Sequence, residues 1–325
     1  MSRNALQPVL VAALPIVLAL VPVAAALAGN TYLVTRLSHA LIYALAALAL
    51  DFIMGYGRLV SFGHAAFFGL GGYTVGILSM HHMQDVPLIF GWAGSNEALL
   101  VWPLAMAVGG LYALLVGVIS LRTSGIYFIM ITLAFSQMIY YLFVSLPTYG
   151  GLTGLSIWLR NTVAGADLLA DSRYFYYLCL GLLLATWWLL ARIVDSRFGR
   201  VLQGCRQNER RMRALGYRTY AYKLTAFVIS GALTGLAGAL IANHTGYVSP
   251  GLMHWSVSGE FIVIVLLGGL TSLIGPIYGA IALLLFEESL VSLTEHWQII
   301  LGPVLVLVVL FFRGGLYGSL TGHRA

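Results

Sequence analysis

The chain consists of long apolar runs separated by short polar connections. Runs such as 261–267 and 301–312 contain no charged residue. Only 9% of the 325 residues are charged and 60% are hydrophobic, whereas about 25% are charged in a typical soluble domain. This pattern excludes a soluble enzyme, a disordered tail and a disulfide scaffold, and it predicts a membrane protein. The unbroken runs favour α-helices over a β-barrel, whose strands alternate in hydropathy over roughly ten residues.

At about 20 residues per span, the sequence has room for about ten transmembrane helices. We therefore expect an all-α helical bundle in which residues 1–325 form a single domain. Eight spans are the alternative if one pair of segments forms a re-entrant hairpin. We interpret the first segment as an anchored helix, because its apolar run is longer than a signal-peptide core. The predicted spans are 8–28, 38–57, 62–80, 98–120, 125–146, 174–194, 223–243, 257–274, 276–293 and 299–312.

The distribution of basic residues predicts the orientation in the membrane. If the N-terminus is cytoplasmic, fourteen of the 17 Lys and Arg residues fall in inside segments. Only Arg36, Arg160 and Arg173 fall outside. Because cytoplasmic connections are enriched in basic residues, we expect both termini in the cytoplasm.

The connection 195–222 concentrates the positive charge. Nine of the 17 basic residues lie between Arg192 and Lys223, and apolar spans on both sides favour a topological explanation over nucleic-acid binding. A partly amphipathic stretch that stops at Gly216 predicts a short helix at the cytoplasmic surface. Two interpretations remain open from the residues alone: an anchor for anionic lipid, or a docking helix for a soluble subunit.

The chain lacks the residues needed to bind ATP in a P-loop. That motif requires a Lys followed by Ser or Thr, and the single lysine, Lys223, is followed by Leu224. We also expect no metal site and no catalytic residues, since no ligand or nucleophile motif occurs at the required spacing. This chain is therefore predicted to bind no cofactor itself.

Several motifs, taken as a set, resemble branched-chain amino acid ABC transporter permeases of the LivM type. The basic loop departs from the family pattern at 211–213, Arg-Met-Arg, where small residues are usual. The resemblance covers about residues 35–320. The matching segments are Asn208-Glu209 with Ala214-Leu215-Gly216, Tyr222-Lys223-Leu224 with Ala226-Phe227, the glycine-rich stretch 235–239, the segments 59–69 and 268–276, Gly151 with Thr153-Gly154-Leu155, and 312–318.

The resemblance implies a transport subunit that is not itself an enzyme. Such importers combine two homologous permease subunits, two cytoplasmic subunits that use ATP and Mg²⁺, and a periplasmic solute-binding protein. It also favours the docking interpretation of the basic loop over the lipid anchor. The residues expected to couple this chain to the ATPases are Arg200, Arg206, Asn208, Glu209, Arg210, Ala214, Leu215 and Gly216.

Polar residues inside the apolar spans are candidates for the solute path, because burying them in lipid is costly. Thr132, Ser136 and Tyr140 recur at a four-residue spacing, with Gln137 beside them. His64 is a further candidate. Four acids, Asp51, Glu260, Glu287 and Glu288, also lie at membrane depth, and Glu260 is our choice for contact with a substrate ammonium group. For all of these residues, hydrogen bonding within the bundle is the competing interpretation.

Glycines predict two places where helices break or pack closely. One is Gly69 to Gly72, and the other is Gly275-Pro276. Proline removes a backbone donor, and the exposed amides of a broken helix suit a substrate carboxylate. Elsewhere, small residues four apart, such as Gly231 and Gly235, are typical of tight helix packing.

These observations predict a multi-pass permease of a bacterial inner membrane that imports amino acids, of which branched-chain or related apolar ones fit the resemblance. A proton-coupled transporter that acts without ATPases is the alternative. An intramembrane enzyme is disfavoured, because no catalytic set of residues is visible at membrane depth.

Overall fold

The computed structural model describes residues 14–23, 31–87, 94–163, 165–291, 299, 302–303 and 315–321. The predicted span 8–28 lies in part outside these residues, and most of the predicted span 299–312 lies outside them. The α-helices are α1 Leu14–Val23, α2 Thr31–Gly57, α3 His64–Gln84, α4 Ala98–Ser120, α5 Ile126–Val144, α6 Ser172–Asp195, α7 Arg197–Ala214, α8 Thr219–Thr245, α9 Trp255–Gly268, α10 Gly275–Val291 and α11 Gly315–Thr321.

The structure confirms an all-helical membrane bundle. Among the described residues, α2, α4, α5, α6 and α8 are each long and apolar enough to cross a bilayer. Their lengths of 19 to 27 residues match the thickness of the hydrocarbon core. The number of spans and the side on which the termini lie stay predictions.

Helices α2 and α8 form the centre of the bundle. In their most apolar windows, 83% of α2 and 72% of α8 residues are buried, against 39%, 28% and 33% for α4, α5 and α6. The three outer helices expose large apolar side chains such as Leu115, Tyr127 and Trp188. Bulky apolar side chains on an outer surface suit contact with lipid.

Glycines let α8 approach α3 and α4 to backbone contact. A Cβ on Gly71 or Gly238 would collide with the facing helix, at Gly235 and Phe68 respectively, and a Cβ on Gly235 would lie 2.6 Å from the carbonyl oxygen of Ala105. The predicted close packing of Gly231 and Gly235 is therefore confirmed. In a membrane, where apolar burial does not drive helices together, such close contact supplies the attraction.

The predicted helix break at Gly69 to Gly72 is wrong. Helix α3 runs without interruption from His64 to Gln84. Its glycines face neighbours instead, since Met253 fills the space beside Gly69 and the carbonyl oxygen of Gly238 lies 3.3 Å from a Cβ built on Gly72. These glycines serve close packing, the second interpretation of the sequence.

The predicted interruption near Gly275-Pro276 is confirmed. Helix α9 ends at Gly268, six residues before the predicted end of that span, and α10 begins at Gly275. The turn between them contains Gly269 at φ +112° and Thr271 at φ +66°. A threonine rarely adopts a positive φ, so contacts outside the turn must hold Thr271 in this conformation.

Side chains from α2 supply these contacts. Thr271 donates its backbone N–H to Asp51 Oδ1 at 3.2 Å, and its carbonyl oxygen accepts from the Tyr56 hydroxyl at 2.7 Å. Asp51 is fully buried, and its second carboxylate oxygen has no hydrogen-bond partner among the described residues. The carboxylate at membrane depth thus anchors the turn between α9 and α10.

The segments that the charge distribution places outside meet at one end of the bundle. Leu155–Ser156 (β1) pairs antiparallel with Tyr247–Val248 (β2). Nearby, the side chain of Asn243 accepts from the Asn161 backbone at 2.8 Å and donates to its side chain at 2.7 Å. Both asparagines are buried, so this pair fixes the long outer connection on the end of α8.

Candidate functional site

Helix α7, in the basic connection, is two helical segments joined at Asn208. Asn208 has extended backbone angles of φ −156° and ψ 97°. Its Oδ1 accepts the backbone N–H of Arg211 at 3.0 Å, which makes Asn208 the N-cap of the second segment. The predicted single short helix therefore needs correction, because the Asn side chain stops one segment and starts the next.

The first segment of α7 is seated on the end of the bundle that the charge distribution predicts to be cytoplasmic. Val201, Leu202 and Cys205 are buried, and Leu202 lies within 3.5 Å of a Cβ built on Gly57, the last residue of α2. Phe198 stacks on Tyr222 with 5.4 Å between ring centroids. The amphipathic pattern thus faces the membrane domain, while Arg197 and Arg200 remain exposed.

The second segment ends where the sequence predicted. Gly216 has φ +87°, the Gly216 N–H binds the carbonyl of Arg213, and the Tyr217 N–H binds that of Met212. These two bonds form a Schellman motif, which favours glycine in the left-handed position. The chain then turns directly into α8 at Thr219.

Glu209 ties the second segment of α7 to the start of α8. Its carboxylate accepts hydrogen bonds from Lys223 Nζ at 2.5 Å, Arg213 at 2.6 Å and the Thr219 hydroxyl at 3.1 Å. Burial alone raises the pKa of Glu209, but the bonds from Lys223 and Arg213 outweigh it and hold the pKa below its ordinary value. Lys223 is largely covered, with 15% of its side chain exposed.

This tie changes the role expected for Glu209. The sequence placed Glu209 among the residues that face a partner, whereas its carboxylate is engaged within the chain. Lys223, Arg213 and Thr219 were not recognised as its partners. The signal was a lone lysine 14 residues from a conspicuous acid, but only the fold shows that the intervening turn brings the two together.

The remaining predicted coupling residues divide into exposed and covered positions. Arg206 is half-buried and lies near Asp51. Together with Arg58 and Thr271 it lines an open cleft of about 710 Å³, which we call the inner cleft because it lies at the end predicted to be cytoplasmic. The exposed positions form a surface that we call the α7 tip, in which Leu215 is 66% exposed. The α7 tip consists of Asn208, Arg210, Ala214 and Leu215 from the predicted set, together with Arg211, which was not in it.

His64 lies in the core of the bundle. Its Nε2 is 2.8 Å from the Ser230 hydroxyl, which itself donates to the carbonyl of Ala49. The ring contacts Phe67 and Phe227 edge-on. His64 therefore links α3, α8 and α2, and its Nδ1 is buried without a hydrogen-bond partner among the described atoms.

The polar side chains of α5 face inward and form hydrogen bonds with backbone groups of neighbouring segments. Thr132 accepts from the backbone N–H of Phe62 at 3.3 Å, and Ser136 donates to the carbonyl of Met253 at 3.1 Å. Both hydroxyl residues are fully buried. These side chains thus meet the turn before α3 and the 3₁₀ segment Pro250–Met253, and these hydrogen bonds satisfy the groups within the chain.

The other predicted path residues lie in different surroundings. Tyr140 packs edge-on against His254 at 5.6 Å between ring centroids. The Gln137 side-chain nitrogen is buried without a partner among the described residues. Glu260 is exposed on α9 and lies close enough to Glu287 of α10 for their charges to repel. The structure therefore brings Thr132 and Ser136 together and places Glu260 in a separate acidic group.

Residues 32–309 match the family described as branched-chain amino acid transport system / permease component. The LivM high-affinity branched-chain amino acid permease of Salmonella typhimurium is 27% identical over 302 residues, which cover 85% of this chain and 68% of the relative. LivM of Escherichia coli is 26% identical over the same shares. The autoinducer 2 import permease LsrC of Yersinia pestis (strain Pestoides F) is 30% identical over 226 residues, 65% of this chain and 63% of the relative. No solved structure matches the chain.

Proposed function

Because this chain belongs to the branched-chain amino acid transport permease family, we propose that it is the membrane-spanning subunit of an ATP-driven importer of amino acids. Branched-chain or related apolar amino acids are the proposed solutes. ATP and Mg²⁺ are bound by separate cytoplasmic subunits, and this chain supplies the passage. The proposed location is a bacterial inner membrane, with a second permease subunit and a periplasmic solute-binding protein as partners.

The observation that carries the proposal is the link from α7 through Glu209 to α8. When an ATPase closes on ATP, it can change the solute path only if the surface that it contacts on the permease is firmly connected to the transmembrane helices. Glu209 joins the second segment of α7 to Lys223 and Thr219 at the start of α8. Helix α8 in turn contacts the backbones of α3 and α4. A displacement of the α7 tip is therefore passed to the centre of the bundle.

The chemistry of the α7 tip fits a protein partner. Arg210 and Arg211 are exposed beside the apolar Leu215. Arginine next to an exposed apolar side chain is the composition enriched at protein interfaces, whereas a lipid anchor requires only cations. The proposed docking surface on each ATPase is an acidic cleft with an apolar floor.

The inner cleft beside α7 gives the proposed path a cytoplasmic mouth. It is lined by Arg206 of α7 and by Thr271 of the turn that Asp51 and Tyr56 hold. Movement of α7 therefore acts on a cleft wall as well as on α8. Release of solute into the cytoplasm through this cleft is the step that ATP-driven closure would control.

One observation favours a competing function. The second oxygen of Asp51 is buried without a partner among the described residues, and a carboxyl group at membrane depth is the usual element of a proton-coupled transporter. That function requires uptake by this polypeptide alone, and uptake should stop when the proton gradient is dissipated.

Reconstituted vesicles distinguish these functions. The chain should be purified from native membranes with its associated subunits, and L-leucine uptake and ATP hydrolysis should be measured together. We expect vanadate to stop uptake, and we expect Arg210→Glu to leave hydrolysis measurable while uptake falls at least tenfold. Arg173→Gln, which removes an exposed arginine on the outer side, is the matched control. Uptake by vesicles that contain only this chain would contradict the proposal.

A further inference from the structure

A second cleft lies at the outer end of the bundle, between the start of α2 and the end of α10. Its volume is about 280 Å³. Arg36 and Tyr32 line it from α2, and Glu287 and Glu288 line it from α10. The residues come from opposite ends of the sequence, so the cleft could not be read from any local motif.

The cationic side of the cleft is held in place. Arg36 donates from Nε to the Tyr32 hydroxyl at 2.6 Å, and its guanidinium lies 4.8 Å from the centre of the Tyr32 ring. The nearest acid, Glu288, is 3.9 Å from Nε, too far for a hydrogen bond. Tyr32 thus orients the guanidinium but leaves it without a hydrogen-bonded carboxylate among the described residues.

The cleft region contains more acidic than basic side chains. Glu287 is attracted by Arg36, and Glu260 of α9 lies close enough to Glu287 to feel its charge. With Glu288 this makes three acids for one arginine. Close like charges repel one another, so an added cation near Glu260 and Glu287 would stabilise the arrangement.

Lipid does not suit this surface. Charged side chains at membrane depth face the bundle interior, a water-filled cavity or another protein rather than lipid tails. The helices α4 and α5 expose apolar residues such as Leu111 and Met130, whereas this side exposes Arg36 and Glu260 beside the apolar Leu285 and Val291. The charged groups of the cleft therefore require an aqueous space or another protein beside them, rather than lipid tails.

The remainder of the cleft wall is apolar. Leu37, Ile281 and Leu284 line it beside the charged groups. Its volume is just below the range of about 300–1,000 Å³ that is typical of small-molecule pockets. The cleft therefore suits a small solute rather than a peptide or an oligosaccharide.

We infer that this outer cleft binds a small zwitterion with an apolar side chain, namely a free amino acid in the course of transport. The solute carboxylate pairs with Arg36, its ammonium group lies toward Glu287 and Glu260, and its side chain packs on Leu37 and Ile281. The inference rests on the proposed function, because it names the place where the proposed solute is held on the outer side. A zwitterionic lipid headgroup such as phosphatidylethanolamine has the same pair of charges and is the alternative source.

Direct binding tests the cleft without relying on transport. The full chain should be placed in nanodiscs of phosphatidylcholine, whose ammonium group has no N–H to donate, and binding of radiolabelled L-leucine should be measured by equilibrium dialysis. We expect saturable binding that needs both charges of the ligand. Competition by 4-methylpentanoate, which lacks the ammonium group, and by isoamylamine, which lacks the carboxylate, should each be at least tenfold weaker than competition by L-leucine.

Two substitutions locate the site. Arg36→Gln and Glu287→Gln should each raise the dissociation constant for L-leucine at least tenfold, while Arg36→Lys should restore part of the affinity. Arg173→Gln, the control for charge on the same side, should leave it within twofold. Absence of leucine binding, equal binding by Arg36→Gln, or loss of binding only when phosphatidylethanolamine replaces phosphatidylcholine would each overturn the inference.

The outcome is separable from that of the proposed function. If leucine uptake by the purified complex depends on ATP but is unchanged in Arg36→Gln and Glu287→Gln, the importer stands and the cleft assignment fails. If the chain takes up leucine without ATPases, and both variants lose binding, the cleft assignment stands and the importer fails.

Discussion

Replacing Glu209 by Gln tests whether its carboxylate holds the second segment of α7 on α8. Gln keeps the size of the side chain but removes the charge that Lys223 contacts at 2.5 Å. Hydrogen bonds to charged groups contribute about 1.5–3 kcal/mol. Because the Glu209 side chain is 30% exposed and that of Lys223 is 15% exposed, we expect water to compensate part of the loss, which leaves a cost of about 2 kcal/mol.

Hydrogen exchange of the purified chain measures this cost locally. A loss of about 2 kcal/mol should speed exchange of the backbone amides at 211–217 by about 30-fold, while amides in the centre of α8 should be unaffected. Asp195→Asn is the matched control, because Asp195 is an exposed acid at the same end of the bundle. Unchanged exchange in Glu209→Gln would refute the tie.

The tie also has a pH dependence. The pKa of Glu209 is lower in the folded chain than its ordinary value, so its stabilising contribution is present above the ordinary pKa and is lost as the pH falls through the lowered value. The wild type and Glu209→Gln should therefore differ in exchange at neutral pH and converge in acid.

Three further substitutions test the packing, and each has a direct readout. Gly71→Ala should lower the thermal midpoint of the purified chain, at a cost of about 1–3 kcal/mol, because its Cβ would collide with Gly235. Gly181→Ala, where the space is open, is the control and should leave the thermal midpoint unchanged. Equal effects of the two substitutions would contradict the glycine contact. Asn243→Ala should cost about 1–3 kcal/mol and increase proteolysis of the outer connection 147–171; unchanged proteolysis would show that the asparagine pair is dispensable. Gly216→Ala should cost about 1–2 kcal/mol and speed exchange around the end of α7, because Gly216 has a φ of +87°; unchanged exchange would contradict this role of the glycine.

The sequence predicts those features of this fold that depend on local chemistry. Apolar runs of bilayer length predict the helices, and a glycine after the amphipathic stretch predicts the end of α7 at Gly216. The Gly231 and Gly235 pair predicts tight packing, because only a residue without Cβ allows backbones to touch.

Features that depend on what lies opposite could not be predicted in this way. The glycines from 69 to 72 looked like a break, but the backbone of α8 and Met253 fill the space beside α3, so the helix continues. The sequence marks Asn208 as part of a family motif. It does not show that Asn208 is an N-cap, because that role depends on the backbone turn that the Asn208 side chain stabilises.

The charged groups also show this difference between features that depend on local chemistry and features that depend on what lies opposite. The acids at membrane depth were visible in the sequence, but their partners were not. One oxygen of Asp51 accepts a backbone N–H 220 residues away, and Arg36 lies near Glu288 only because α2 and α10 pack side by side. Pairs at such separations are set by the topology of the bundle rather than by spacing.

Photocrosslinking from the α7 tip tests the central claim most directly. A photoreactive amino acid at position 215, where the Leu side chain is 66% exposed, should be irradiated in native membranes, and the adducts identified by mass spectrometry. A matched probe at position 159, where Leu is 60% exposed on the side predicted to be outside, controls for random collisions. The account predicts an adduct between position 215 and an ATP-binding subunit, with none from position 159. Adducts from position 215 to lipid alone, or to a periplasmic protein, would contradict it.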